Sequence, residues 1–90
     1  MDIRQLRYLK CIVESKSFSR AAQVLHIAQP ALSLHVRKLE DELQTKLLVR
    51  HSRGIEPTAA GELLLQQANR IMEEVQRTKD LFRARSANIG

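Results

Sequence analysis

Between Gly61 and Gly90 the sequence contains neither proline nor glycine. Roughly 29 residues, from Thr58 as cap to about Ala87, can therefore stay helical, a rod of about 45 Å. The remaining residues, 1–58, are too few to cover such a rod along its length. Its own pattern says how it is covered. Leu64, Ala68, Ile71, Val75, Thr78 and Phe82 step by four, three, four, three and four. That is an a/d heptad seam, weakened at Ala68 and Thr78 and widened by Leu63, Leu65, Met72 and Leu81. The seam predicts a partner helix, most simply the same helix of a second copy. Packing of that face on the chain's own domain is the alternative.

Residues 1–58 read as three helices and a hairpin. Ile3, Leu6, Leu9, Ile12 and Val13 give one apolar stripe over 3–15, with Asp2 placed to cap it. After the break at Lys16-Ser17, either Ser17 or Ser19 can cap a second helix that runs to about Leu25. Phe18, Ala21, Ala22 and Leu25 form its inward face, and the paired alanines predict a close helix crossing. A turn at His26-Ile27-Ala28 leads to Pro30, which is tolerated only in the first turn of a helix. Leu32, Val36, Leu39 and Leu43 then form the core stripe of a third helix, about 29–44, with Ile27 and Leu32 as a hydrophobic staple at its start. Two short extended runs, Lys46–Arg50 and Ile55–Pro57, flank a Gly54-containing turn and predict a β-hairpin over about 48–57. Pro57 confines the second strand to an edge or an end. The fold class is thus mainly α: a winged helix-turn-helix followed by a long dimerisation helix.

That order of elements puts the third helix in a major groove of DNA, with its N-terminal residues at base edges. The core stripe leaves Gln29, Pro30, Ser33, Leu34, Arg37 and Lys38 facing outward, and Ala31, at the helix start, is counted with them as a candidate DNA contact. Gln29 can pair bidentately with adenine, Ser33 can bond several bases, and Arg37 can take guanine or a phosphate. Leu34 is apolar on a polar face, which suits either a thymine methyl or partial packing. The hairpin brings Arg50, His51 and Arg53, and arginines on a wing suit the backbone or a narrow minor groove. Glu40-Asp41-Glu42 lies at the far end of the helix, where it points away from a duplex. Charge follows the same division. Residues 1–58 hold 10 Lys+Arg against 6 Asp+Glu, whereas residues 59–90 hold 5 against 4. A basic first part points to a polyanionic partner.

Other chemistries find little support. The three histidines, His26, His35 and His51, share no metal-ligand spacing, and Cys11 is the one cysteine. No acid/base pair, activated nucleophile or phosphate loop can be assembled, so neither an enzyme nor a cofactor or metal is expected. A lone cysteine permits no internal disulfide and fits a reducing compartment. The N-terminus MDIRQLRYLK carries charges too early for a secretory signal, and no apolar run approaches the ~20 residues of a membrane span. The expectation is a cytoplasmic protein. Two other functions compete. A non-specific architectural DNA binder would place Lys and Arg on the outer face of helix 29–44, which is instead varied and polar. A helical protein-interaction module would leave the basic charge incidental.

The run from Phe18 to Ser33, FSRAAQVLHIAQPALS, followed by Lys38–Leu43 (KLEDEL), Leu47–Arg50 (LLVR) and Thr58-Ala-Ala-Gly61, resembles the N-terminal domain of bacterial LysR-type transcriptional regulators. The resemblance covers essentially the whole chain. It implies a winged domain at 1–58 with its helix-turn-helix at about 18–37, and a linker helix at 59–90 that pairs two subunits on an operator with two half-sites. It also implies a C-terminal effector-binding domain outside this chain, through which alone a small molecule would act, and tetramers as a further level of assembly in the full-length protein. Two positions depart from the family pattern. Ala28 stands where Ser is usual, which removes a side-chain cap worth about 1 kcal/mol. Leu34 stands where Arg or another polar residue is frequent.

Overall fold

The computed structural model describes the backbone of residues 1–89 and the side chains of residues 1–85. The chain order is α1 (Ile3–Ser15), α2 (Phe18–Leu25), α3 (Gln29–Leu43), β1 (Leu48–His51), β2 (Gly54–Pro57) and α4 (Ala59–Ile89). Each helix boundary has a local cause. Asp2 and Gln5 close a capping box on α1: Oδ1 of Asp2 accepts from the Gln5 N–H at 2.8 Å, and Oε1 of Gln5 accepts from the Asp2 N–H at 3.2 Å. Ser17, rather than Ser19, caps α2 by accepting from the Arg20 N–H at 3.2 Å. Ala28 enters α3 with extended backbone and no side-chain cap, and Pro30 occupies its first turn. The first three helices end on left-handed residues, Lys16, His26 and Gln44, with φ of 57°, 57° and 54°.

Helix α1 is the hub of the core, because both apolar clusters are built on it. On one side Ile12 meets Phe18, Ala21, Ala22, Leu32, Val36 and Ile55. On the other, Leu9 meets Leu39 and Leu47, with Leu48, Ala60, Leu64 and Leu65 packed around them. The alanines of α2 are buried against this cluster, as a close crossing requires. Leu43, whose spacing predicts the last core position of the α3 stripe, is instead 38% exposed, while Leu47 is fully buried. The reason is the chain reversal at Gln44, which brings Leu47 back onto Leu9 and Leu39. Glu40 pins that return: its Oε2 accepts from the Leu47 N–H at 2.8 Å.

The hairpin is a two-stranded antiparallel sheet in the register Leu48↔Pro57, Val49↔Glu56, Arg50↔Ile55 and His51↔Gly54. Pro57 closes its end, as a residue without an N–H must. Thr58 joins hairpin to helix. Its hydroxyl donates to the Lys46 carbonyl at 2.6 Å and accepts from the Gly61 N–H at 3.0 Å, capping α4. Helix α4 packs first on α1 and then runs clear of it. Every side chain described from Gln76 to Arg85 is exposed, and the molecule measures 55 × 26 × 21 Å. Among the described residues no helix is long and apolar enough to cross a membrane.

Candidate nucleic-acid interface

Burial of Leu32, Val36 and Leu39 fixes the rotation of α3 and therefore what it shows to solvent. Gln29, Pro30, Ala31, Arg37 and Lys38 are exposed and Ser33 is half-buried. Leu34 keeps 47% of its surface open to water, so outward placement, not packing, describes it. Gln29, Ser33 and Arg37 lie along one row at four-residue spacing, and Pro30, Leu34 and Lys38 along the next. Ala31 is on the flank away from Gln29.

The hairpin stands beside the first of these rows. Ser33, Arg37, Lys46, Val49 and Arg50 line one shallow cleft between α3 and β1. Lys16, Ser17, Ser19, Gln29, Arg50 and His51 line a second, between the hairpin and the N-terminus of α2. Arg50 belongs to both clefts. Its guanidinium lies 4.7 Å from the centroid of the Phe18 ring, a cation–π contact that holds the charge between the two helices. Arg53 sits at the hairpin tip, its N–H donating to Nδ1 of His51 at 3.1 Å. A third concavity gathers Lys16, Ser17, Arg20, Ser52 and Arg53. The hairpin is seated by Gly54: its φ is +130°, and a Cβ there would stand 2.7 Å from the Lys16 carbonyl oxygen.

The outward face is thus polar and largely cationic, with Leu34 and Val49 exposed on it, Lys46 3.7 Å from Glu40, and Glu14 on the rim beside Lys16 and Arg20. The sequence had not singled out Lys16, Ser19, Arg20 or Lys46 for this face. Packing of the hairpin on the helix turn brings Lys16 and Ser19 beside Gln29 and Arg50, Lys46 beside Arg37 and Arg50, and Arg20 beside Arg53. Ser19 does not cap α2. Its Oγ donates instead to Oε1 of Gln29 at 3.0 Å, across the turn. Of the acidic run, Glu40 is turned inward to hold Leu47, while Asp41 and Glu42 are exposed.

The heptad seam of α4 divides. Ala68 is 0% exposed within this chain. The heptad pattern places it on a partner-facing seam, and its burial against the chain's own domain takes it off that face. Leu64 is half-buried beside Leu9 and Leu39. Ile71 and Phe82 are open, Phe82 to 65%, Val75 is half-buried and Thr78 is exposed. The Thr78 hydroxyl donates to the Glu74 carbonyl of its own helix at 2.8 Å. The alternative of packing on the chain's own domain therefore describes the first part of the seam.

Residues 3–62 match the family described as bacterial regulatory helix-turn-helix protein, lysR family. The chain is similar to a hydrogen peroxide-inducible genes activator of Pectobacterium carotovorum subsp. carotovorum, 47% identical over 81 residues, which cover 90% of this chain and 27% of that protein. It is also similar to the nitrogen assimilation regulatory protein nac of Klebsiella aerogenes, 44% identical over 79 residues, 88% of this chain and 26% of that one. The chain thus spans about a quarter of the length of the curated relatives it matches. Among solved structures, a BenM_DBD/catB site 1 DNA complex matches with a TM-score of 0.92 and 36% identity, covering 100% of this chain and 97% of that one. A CbnR_DBD–DNA complex matches with a TM-score of 0.88 and 41% identity, covering 96% of this chain and 99% of that one.

Proposed function

This chain belongs to the lysR family of bacterial regulatory helix-turn-helix proteins, and from that premise we propose that it is the part of a transcriptional regulator that binds double-stranded DNA in a sequence-specific manner. The observation that carries the reading is the outer face of α3. Gln29, Ser33 and Arg37 form one continuous row, flanked by Pro30, Leu34 and Lys38, with Arg50 of the hairpin beside it. A helix so presented fits a major groove, which is about 12 Å wide. Gln29 and Ser33 have the donors and acceptors that base edges require, and Leu34 offers an apolar surface to a thymine methyl. Arg37, Lys38, Arg50 and Arg53 supply charge for phosphates, and Ala31 lets the backbone at the start of α3 approach one closely. Lys16, Arg20 and Lys46 extend the cationic rim. Two of the matched structures are DNA complexes, which supports DNA binding by this chain.

In this reading residues 1–58 are the winged reading domain and residues 59–90 the linker that pairs two copies. Ile71, Val75, Thr78 and Phe82, with Leu81 beside them, are the faces a second copy would cover. Pairing turns one reader into two, which a two-half-site operator requires. Effector binding and tetramer assembly are assigned to the length of the family that this chain does not span. The protein is read as a regulator and not as an enzyme, in keeping with the named roles of its relatives.

The test is Gln29→Ala. Discrimination between an operator and an unrelated duplex falls by about 1–3 kcal/mol, while non-specific affinity changes little. Equal weakening on every sequence would remove Gln29 from the base-reading face.

A further inference from the structure

We propose that Ser19 is a positioning residue for base readout: its hydroxyl fixes the amide of Gln29 before the helix meets DNA. The inference rests on the reading of Gln29 as a base reader. Three observations carry it. Oγ of Ser19 donates to Oε1 of Gln29 at 3.0 Å, a side-chain bond that joins α2 to α3 across the turn. Ser17 already serves the Arg20 N–H at the start of α2, so the Ser19 hydroxyl is not needed as a cap. Both side chains open onto the cleft that also holds Arg50, on the flank of the proposed reading face.

An exposed glutamine on its own samples many rotamers and loses that freedom on docking. Ser19 removes part of the loss in advance, which favours the correct sequence by pre-organisation. It also sets the polarity of the amide. With one Oε1 lone pair occupied by Ser19, Gln29 keeps a second lone pair and two Nε2 protons. That set is the complement of the adenine edge, which offers the N6 donor and the N7 acceptor. Ser19 therefore contributes to sequence choice without touching a base.

The experiment is a double-mutant cycle on this chain. Affinities are measured for an operator selected by the wild-type protein and for an unrelated duplex of equal length, at several salt concentrations. Ser19→Ala lowers the ratio of the two affinities by about three- to tenfold, with the non-specific affinity and the salt slope unchanged. Ser19→Thr, which retains a hydroxyl, restores the ratio. In the Gln29→Ala background Ser19→Ala has no further effect, because there is no amide left to hold. An equal loss in both backgrounds, or a weaker salt slope, would assign Ser19 to a phosphate and overturn the proposal. A silent Ser19→Ala beside a damaging Gln29→Ala overturns the positioning role alone. A silent Gln29→Ala overturns the base-reading assignment on which it stands.

Discussion

A Cβ on Gly61 would stand 2.1 Å from the carbonyl oxygen of Leu47. The first turn of α4 is therefore seated directly on the backbone that leads into the hairpin. That carbonyl is not free to move, since it also accepts from the Thr58 N–H at 2.9 Å. Gly61→Ala should destabilise the chain by about 1–3 kcal/mol or more, because the nearest obstacle is backbone and not a flexible side chain. The urea midpoint checks this. An unchanged midpoint would mean that α4 does not sit on Leu47.

Ala28 begins α3 with extended backbone and no side-chain acceptor. Ala28→Ser should supply the missing cap and stabilise the domain by about 0.5–2 kcal/mol. For a chain of this size that corresponds to a rise in Tm of several degrees. A fall in Tm would show that the start of α3 is held by Pro30 and the Ile27–Leu32 staple in a geometry that a serine disturbs.

The division of the α4 seam predicts two separable phenotypes. Ala68 is enclosed by its own chain, so Ala68→Leu should overpack the core and lower stability by about 1–3 kcal/mol. Phe82 is exposed, so Phe82→Ser should leave the unfolding of a single chain nearly unchanged and weaken self-association. Sedimentation over a range of concentrations distinguishes the two. Thr78 fits a covered seam better than its polarity suggests, because its hydroxyl is already satisfied by Glu74. A monomer at high concentration for the wild-type chain would contradict pairing through α4.

The role of the hairpin is open to a salt titration. Arg53→Ala should weaken binding to all sequences about equally and reduce the salt slope by about one. Loss of discrimination with the slope intact would instead place Arg53 against bases.

Most of the architecture was legible in the sequence, because each element carries its own boundary signal. Asp2, Pro30, Pro57 and Thr58 mark starts and ends by local chemistry, and the stripes on α1 and α3 have clear periods. What was not legible depends on chain reversals. Leu43 and Leu47 are both leucines near the end of one helix, and only the left-handed turn at Gln44 decides that Leu47 enters the core. The α4 seam is periodic throughout, yet periodicity does not say where a helix leaves its own domain, and Ala68 falls before that point. The outer face of α3 was legible as the complement of its buried stripe. Ser19 and Lys16 join it through tertiary packing of the α1–α2 turn against the hairpin, beside the Arg50 that the wing pattern had already marked, and no spacing encodes that packing.

In the proposed function two copies of this chain read two half-sites through α3. Selection of bound duplexes from a random DNA pool by the purified chain tests it most directly. The expected result is an enriched pair of half-sites related by two-fold symmetry, their centres about 34–36 Å or a multiple apart along the duplex. Recovery of no shared sequence, with retention governed only by salt, would contradict it.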